Sequence, residues 1–151
     1  MLALAGYGAL FFGCFWCMRQ AGISWEEVGV RGLSLRSLAV GVIAGALVVA
    51  PVWRLPVASV SGASWLVIAV AVEEVAFRGV LFALLRRRGG FPLAIVGSAI
   101  VFTVAHAGSA RLPSLALVAL LGTYLGLLRA IRGDLWVSGF AHLIIDLVSL
   151  A

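Results

Sequence analysis

Apolar residues run through this chain in six long blocks, separated by short breaks that hold Arg, Gly or Pro. The blocks extend from about Leu2 to Met18, Ser37 to Trp53, Ser64 to Leu85, Pro92 to Ala107, Ser114 to Ile131 and Leu135 to Leu150. Each approaches the roughly 20 residues an α-helix needs to cross a bilayer. The pattern predicts an all-α fold, a polytopic membrane bundle of about six transmembrane helices in one domain over residues 1–151. The breaks are Arg54-Leu55-Pro56, Arg88-Gly89-Gly90-Phe91-Pro92, Leu112-Pro113 and Arg132-Gly133-Asp134, all helix-ending chemistry. Between the first two blocks a more polar stretch runs from Arg19 to Arg36. There Ser24, with Glu27 three residues on, is a capping box for a short interfacial helix, and Trp25 suits headgroup depth. The first block has no basic region before it and reads as a retained helix rather than a cleaved leader.

Composition agrees with a membrane setting. Of 151 residues, 64% are hydrophobic and 11% charged, with mean hydropathy +1.18. A soluble domain needs more polar surface than this. All 11 basic residues are Arg. The pI near 10.6 would admit nucleic acid as a partner, but the Arg residues sit in short connections without interleaved aromatics. Topology accounts for them instead, and the expected partner is the lipid bilayer. If six spans alternate, Arg19, Arg31, Arg36, Arg86, Arg87, Arg88, Arg129 and Arg132 share one side, and only Arg54 and Arg111 take the other. The positive-inside rule then puts the Arg-rich side in the cytoplasm and both ends of this sequence outside. Glu73 stands nine residues beyond Ser64, or about 14 Å into the third span at 1.5 Å per residue.

Small residues supply the packing. Gly41-x-x-x-Gly45 and Gly122-x-x-x-Gly126 let membrane helices approach closely, and they are expected to pack within one chain. Cys14 and Cys17 form a Cys-x-x-Cys inside the first block. With no second pair to complete a metal site, they read as two buried apolar side chains.

The chemistry lies in ionisable residues inside the apolar blocks: Glu73, Glu74 and Arg78, then His106, then His142 and Asp146. A charge at bilayer depth costs about 2.5–3.5 kcal/mol even on the lenient scales, so such groups pair or serve a site. On an α-helix Glu74 and Arg78, four apart, share a face, so Glu74 is assigned to Arg78. Glu73 points about 100° away and remains for catalysis. Burial disfavours a carboxylate's charge and suits it to general-base work. His142 and Asp146 are also four apart, so the acid can orient the ring. His106 shares a face with Phe102, an aromatic placed to wall the site. Two schemes remain open on the residues alone. Two His and a Glu can hold zinc with one open position. Alternatively Glu73 deprotonates a water that His106 positions, and His142 stabilises the oxyanion. Neither His-Glu-x-x-His nor Gly-x-Ser-x-Gly occurs, and Asp146 is the only Asp at membrane depth. Serine and aspartyl intramembrane proteases are therefore disfavoured.

Taken together, Glu73-Glu74-Val75-Ala76-Phe77-Arg78-Gly79, Phe102-Thr103-Val104-Ala105-His106 and His142-Leu143-Ile144-Ile145-Asp146 resemble the three motifs of the CPBP intramembrane proteases. That family includes CAAX prenyl endopeptidases and bacteriocin-processing and immunity relatives. The likeness covers about residues 64–150. It implies a metal-independent glutamic endopeptidase without a cofactor, in a bacterial inner membrane. By position it makes Glu73 the base, His106 the water-positioning group, and His142 with Asp146 the oxyanion pair. The prenyl proteases carry Asn where this chain has Asp146, so orienting His142 is the role that suits the acid. The chain is short for the family and its site is biased outward, as in small bacterial members acting on exported proteins. The expected substrate is a membrane-anchored or exported protein, cut near a C-terminal tail. A non-catalytic scaffold or immunity protein of the same fold is the alternative. A proton-coupled carrier is a third reading, disfavoured by the lack of inverted repeats.

Overall fold

The computed structural model describes residues 2–52, 60–108 and 112–149. Arg54 and Arg111, expected on the Arg-poor side, lie outside the described residues. The described residues contain helices and turns and no strand. In order they are α1 (Leu2–Ala21), α2 (Trp25–Val28), α3 (Leu35–Val49) with a 3₁₀ turn at Ala50–Val52, and α4 (Val60–Glu73). A π-helix (Glu74–Leu81), α5 (Phe82–His106), α6 (Leu112–Arg132) and α7 (Leu135–Ser149) follow. The α-helical expectation holds. One helix alone, Ser114–Arg132, is long and apolar enough to cross a membrane among the described residues, with 19 residues and mean hydropathy 1.8. Leu35–Val49 and Leu135–Val148 are apolar but shorter.

Two expected helices differ in form, for local reasons. The third block is not one regular α-helix. After the 14 residues of α4 the chain switches to i→i+5 bonding for 8 residues, starting at Glu74. The fourth block joins it through α5, whose backbone breaks at Gly89 (φ −150°, ψ 23°) and Gly90 (φ 69°, ψ −164°). Gly90 takes a left-handed conformation that only glycine adopts cheaply, and Pro92 then starts the returning arm. A Cβ on Gly97 would meet the Leu85 side chain at 2.8 Å, so the two arms lie against each other.

One end of the bundle is tied by polar contacts. Ser24 and Glu27 form the expected capping box on α2, although this helix is a single turn. Gly29 closes it with φ 91°, and a Cβ there would strike the Arg129 guanidinium at 2.6 Å. Arg87 donates to the Ala21 and Gly22 carbonyls (2.6 and 2.9 Å) and to Glu27 (2.8 and 2.9 Å). The Leu135 N–H reaches Gly29 O at 2.9 Å. Asp134, in the loop as expected, accepts from Ser37 Oγ (2.7 Å) and caps α7 through Val137 N–H (3.0 Å). The end of α1, the start of α3, the bend of α5, the end of α6 and the start of α7 thus meet, together with the Arg-rich segments.

Not all of that arginine lies in connections. Arg86, Arg87 and Arg88 lie within α5, and Arg129 lies within α6, where it is 1% exposed. Both glycine pairs pack inside the chain as expected. A Cβ on Gly41 or Gly45 would meet α7 at 2.6–2.8 Å, around Phe140 and Ile144. Gly122 and Gly126 face Ala99 and Ile95 of α5. Cys14 and Cys17 are unbridged. Cys14 packs between two apolar clusters, but Cys17 is exposed, against the expectation of two buried thiols.

Candidate functional site

Away from the tied end, polar residues of the π-helix, α5 and α7 converge on one aromatic ring. Phe102 is 1% exposed. Its ring centroid lies 4.4 Å from that of His106, 5.9 Å from His142 and 5.2 Å from Phe77. The Arg78 guanidinium carbon sits over the same ring at 4.1 Å, close enough for a cation–π contact. An aromatic expected to wall the site therefore stands at its centre.

Glu74 and His142 form the buried half, each 2% exposed. The His142 Nδ1–H donates to Glu74 Oε1 at 3.0 Å, and Nη1 of Arg78 approaches the same oxygen at 3.5 Å. The i,i+4 pairing of Glu74 with Arg78 is thus present, with His142 as a third member that spacing along the chain did not reveal. Arg78 is 0% exposed, and none of its side-chain nitrogens makes a hydrogen bond among the described residues. Its partners are the Glu74 charge and the Phe102 face. On the far side of the imidazole, Nε2 of His142 lies 3.5 Å from Asp146 Oδ2, a contact too long to lock the nitrogen.

Glu73, His106 and Asp146 are half-buried and form the open half. Asp146 lies within electrostatic reach of Glu73, His106, His142 and Glu74, so all four sequence-assigned groups share one locale. Nδ1 of His106 is 2.8 Å from Phe102 O. A carbonyl only accepts, so Nδ1 carries the proton and the basic nitrogen of the neutral ring is Nε2. Glu73 Oε1 accepts from the Tyr7 hydroxyl at 2.9 Å.

Tyr7 went unnoticed in the sequence. The available signal was a lone phenol inside an apolar block, since a buried Tyr hydroxyl usually finds a partner. Ser138 is set aside with the serine-protease reading for want of a same-face His, yet His142 is one. It stands four residues before His142 on α7 and is fully buried beside Glu74. Its hydroxyl donates to Leu135 O at 3.1 Å and the His142 Nδ1 is committed to Glu74, so the pair is not aligned as nucleophile and base. An apolar groove of about 230 Å³ between α4 and α7, lined by Val67, Val70, Ala71, Trp136 and Phe140, also has Glu74 in its lining. Among the described residues no three His, Cys, Asp or Glu side chains are grouped as metal ligands.

The family model described as type II CAAX prenyl endopeptidase Rce1-like matches residues 52–148. No curated protein and no solved structure matches the chain.

Proposed function

The chain belongs to the Rce1-like family of type II CAAX prenyl endopeptidases, a membrane-embedded protease family, and on that premise we propose that it is an intramembrane glutamic endopeptidase. The observation that carries this reading is that His106 of α5 and His142 of α7 meet at the Phe102 ring, with Asp146 of α7 within electrostatic reach of both and of Glu73 from α4. Glu73 takes a proton from a water that Nε2 of His106 positions, and the water oxygen attacks the scissile carbonyl. The carbonyl oxygen becomes an oxyanion facing His142. Because Nδ1–H is committed to Glu74, only the doubly protonated ring presents an N–H at Nε2. Glu74 and Asp146 on either side are the counter-ions such a ring requires. Glu74 orients the ring through Nδ1, and Asp146, 3.5 Å from Nε2, contributes its charge. As the intermediate collapses, the C–N bond breaks and Glu73 returns its proton to the leaving nitrogen. No step calls for a metal or an organic cofactor.

The setting is a bacterial cell membrane crossed six times, by α1, α3, α4 with the π-helix, the second arm of α5, α6 and α7. At 15 residues each, α3 and α7 are about 23 Å long at 1.5 Å per residue, short of a hydrocarbon core of about 30 Å. Local thinning of the bilayer accommodates that difference. Exposed Phe12, Trp16, Leu47, Leu117, Leu120 and Val104 supply the lipid-facing surface. The Arg-rich end faces the cytoplasm, which leaves the reacting groups in the opposite half. The substrate is a membrane-anchored or exported protein cut near its C-terminal tail, and the apolar groove beside Glu74 is the surface we assign to its apolar segment.

The test compares protein C-termini by mass spectrometry in cells carrying wild-type chain or Glu73→Gln at equal membrane abundance. A membrane or exported protein that keeps its tail only in the mutant is expected. Identical termini in both would favour a non-catalytic scaffold or immunity protein.

A further inference from the structure

A base that must take a proton from water and later return it works best when one carboxylate oxygen is held and the other presented. The terminal torsion of a Glu side chain is broad and roughly two-fold, so the backbone alone does not make that choice. In this chain Tyr7 makes it, through the hydrogen bond from its hydroxyl to Glu73 Oε1 at 2.9 Å. The phenol is itself braced: its ring meets Trp65 edge-on, with centroids 5.4 Å apart and planes at 78°. Trp65 and Glu73 both belong to α4, so one helix fixes the ring and receives its hydroxyl. Tyr7 belongs to α1, before the matched residues 52–148.

We propose that Tyr7 is a positioning residue for Glu73. Its phenol occupies Oε1 and leaves Oε2 as the oxygen that exchanges the proton. The proposal rests on the reading of Glu73 as the base. Water gives its proton to Oε2 as its oxygen bonds to the carbonyl carbon, and Oε2 passes that proton to the nitrogen as the C–N bond breaks. Tyr7 donates to Oε1 throughout and neither gains nor loses a proton. The first helix then completes a site whose other members all come from the matched segment. If Tyr7 served only to seat α1 on α4, the ring contact with Trp65 would suffice and the hydroxyl would be dispensable.

The test uses the full chain in vesicles of phosphatidylethanolamine and phosphatidylglycerol. Subtracting the infrared spectrum of Glu73→Gln isolates the Glu73 carboxyl band. Tyr7→Phe keeps the ring and removes the donor. 3-Fluorotyrosine at position 7 keeps the shape and strengthens the donor, and it remains informative if Tyr7→Phe folds poorly. The two replacements are expected to shift the band in opposite directions. Against a membrane-anchored peptide library read by mass spectrometry, Tyr7→Phe is expected to lower kcat by about tenfold or more with KM within about twofold, as for loss of a hydrogen bond to a charged group. A band unmoved by both replacements would overturn the proposal, and so would a moved band with unchanged kcat. Undiminished cleavage by Glu73→Gln would instead remove the base reading itself, whatever the Tyr7 variants do.

Discussion

Two arginines are almost wholly shut away from solvent, Arg78 at 0% and Arg129 at 1% exposed, and the protein treats them in opposite ways. Arg129 spends its guanidinium on carbonyls: Nε donates to Arg78 O at 3.1 Å and Nη2 to Glu27 O at 2.8 Å. Those oxygens end the α2 turn and lie in the π-helix, where regular α-helical bonding is broken. Arg129 is a cross-brace between α6, α2 and the π-helix. Arg78, in that same π-helix, makes no hydrogen bond among the described residues and holds only Glu74 and the face of Phe102. One arginine is bonded to backbone carbonyls and structural. The other is a charge kept in place by neighbours that the proposed reaction also uses. A buried guanidinium whose donors are satisfied by backbone marks architecture, whereas one balanced by a carboxylate shared with a histidine marks a site.

The largest effect on folding is expected at Arg78. Arg78→Ala leaves Glu74 buried without its main counter-charge, and breaking a buried pair costs about 3–5 kcal/mol. Thermal unfolding in vesicles should show that loss. The double variant Arg78→Met with Glu74→Gln should recover much of it without recovering cleavage, because His142 loses its anionic partner. Recovered cleavage in the double variant would break the comparison.

Arg129→Met is expected to cost less, about 2–4 kcal/mol, from two carbonyls that each lose a buried donor. Its activity per folded molecule should stay near wild type, since Arg129 touches none of the reacting groups. Loss of kcat without loss of stability would mean that the brace belongs to the site.

The smallest effect belongs to the exposed pair of Arg87 and Glu27, 2.8 Å apart at the tied end. Exposed pairs contribute at most about 1 kcal/mol, so Glu27→Gln, which leaves the bonds from Arg87 to the Ala21 and Gly22 carbonyls in place, should shift the melting temperature slightly and less at high salt. The Ser24 backbone N–H and then Arg87 hold the Glu27 carboxyl below its ordinary value of 4.5. A depressed carboxyl stabilises the fold fully above that ordinary value and loses its contribution as pH falls through the folded one. Acid titration should therefore narrow the gap between wild type and Glu27→Gln below about pH 4.5, where a widening gap would contradict the assignment.

The sequence was most informative where one helix face decides the contact. The pairs Glu74 with Arg78 and His142 with Asp146 follow from four-residue spacing, and the glycine pairs correctly announced close helix packing. It was least informative where contacts cross helices. Tyr7 reaches Glu73 over 66 positions, and His142 reaches Glu74 over 68. Neither follows from periodicity. The π-helix was hidden for another reason: its residues are ordinary helix formers, and only the hydrogen-bond register differs. Counting arginines for topology also treated Arg129 as a surface charge, when three helical segments close over it.

The most direct measurement incubates purified chain, wild type and Glu73→Gln, with a membrane-anchored peptide library in vesicles and identifies products by mass. The account predicts new peptide ends with wild-type protein only, with cleavage falling about 10²- to 10⁴-fold in the variant while both unfold at the same temperature. Equal cleavage by the two would contradict it.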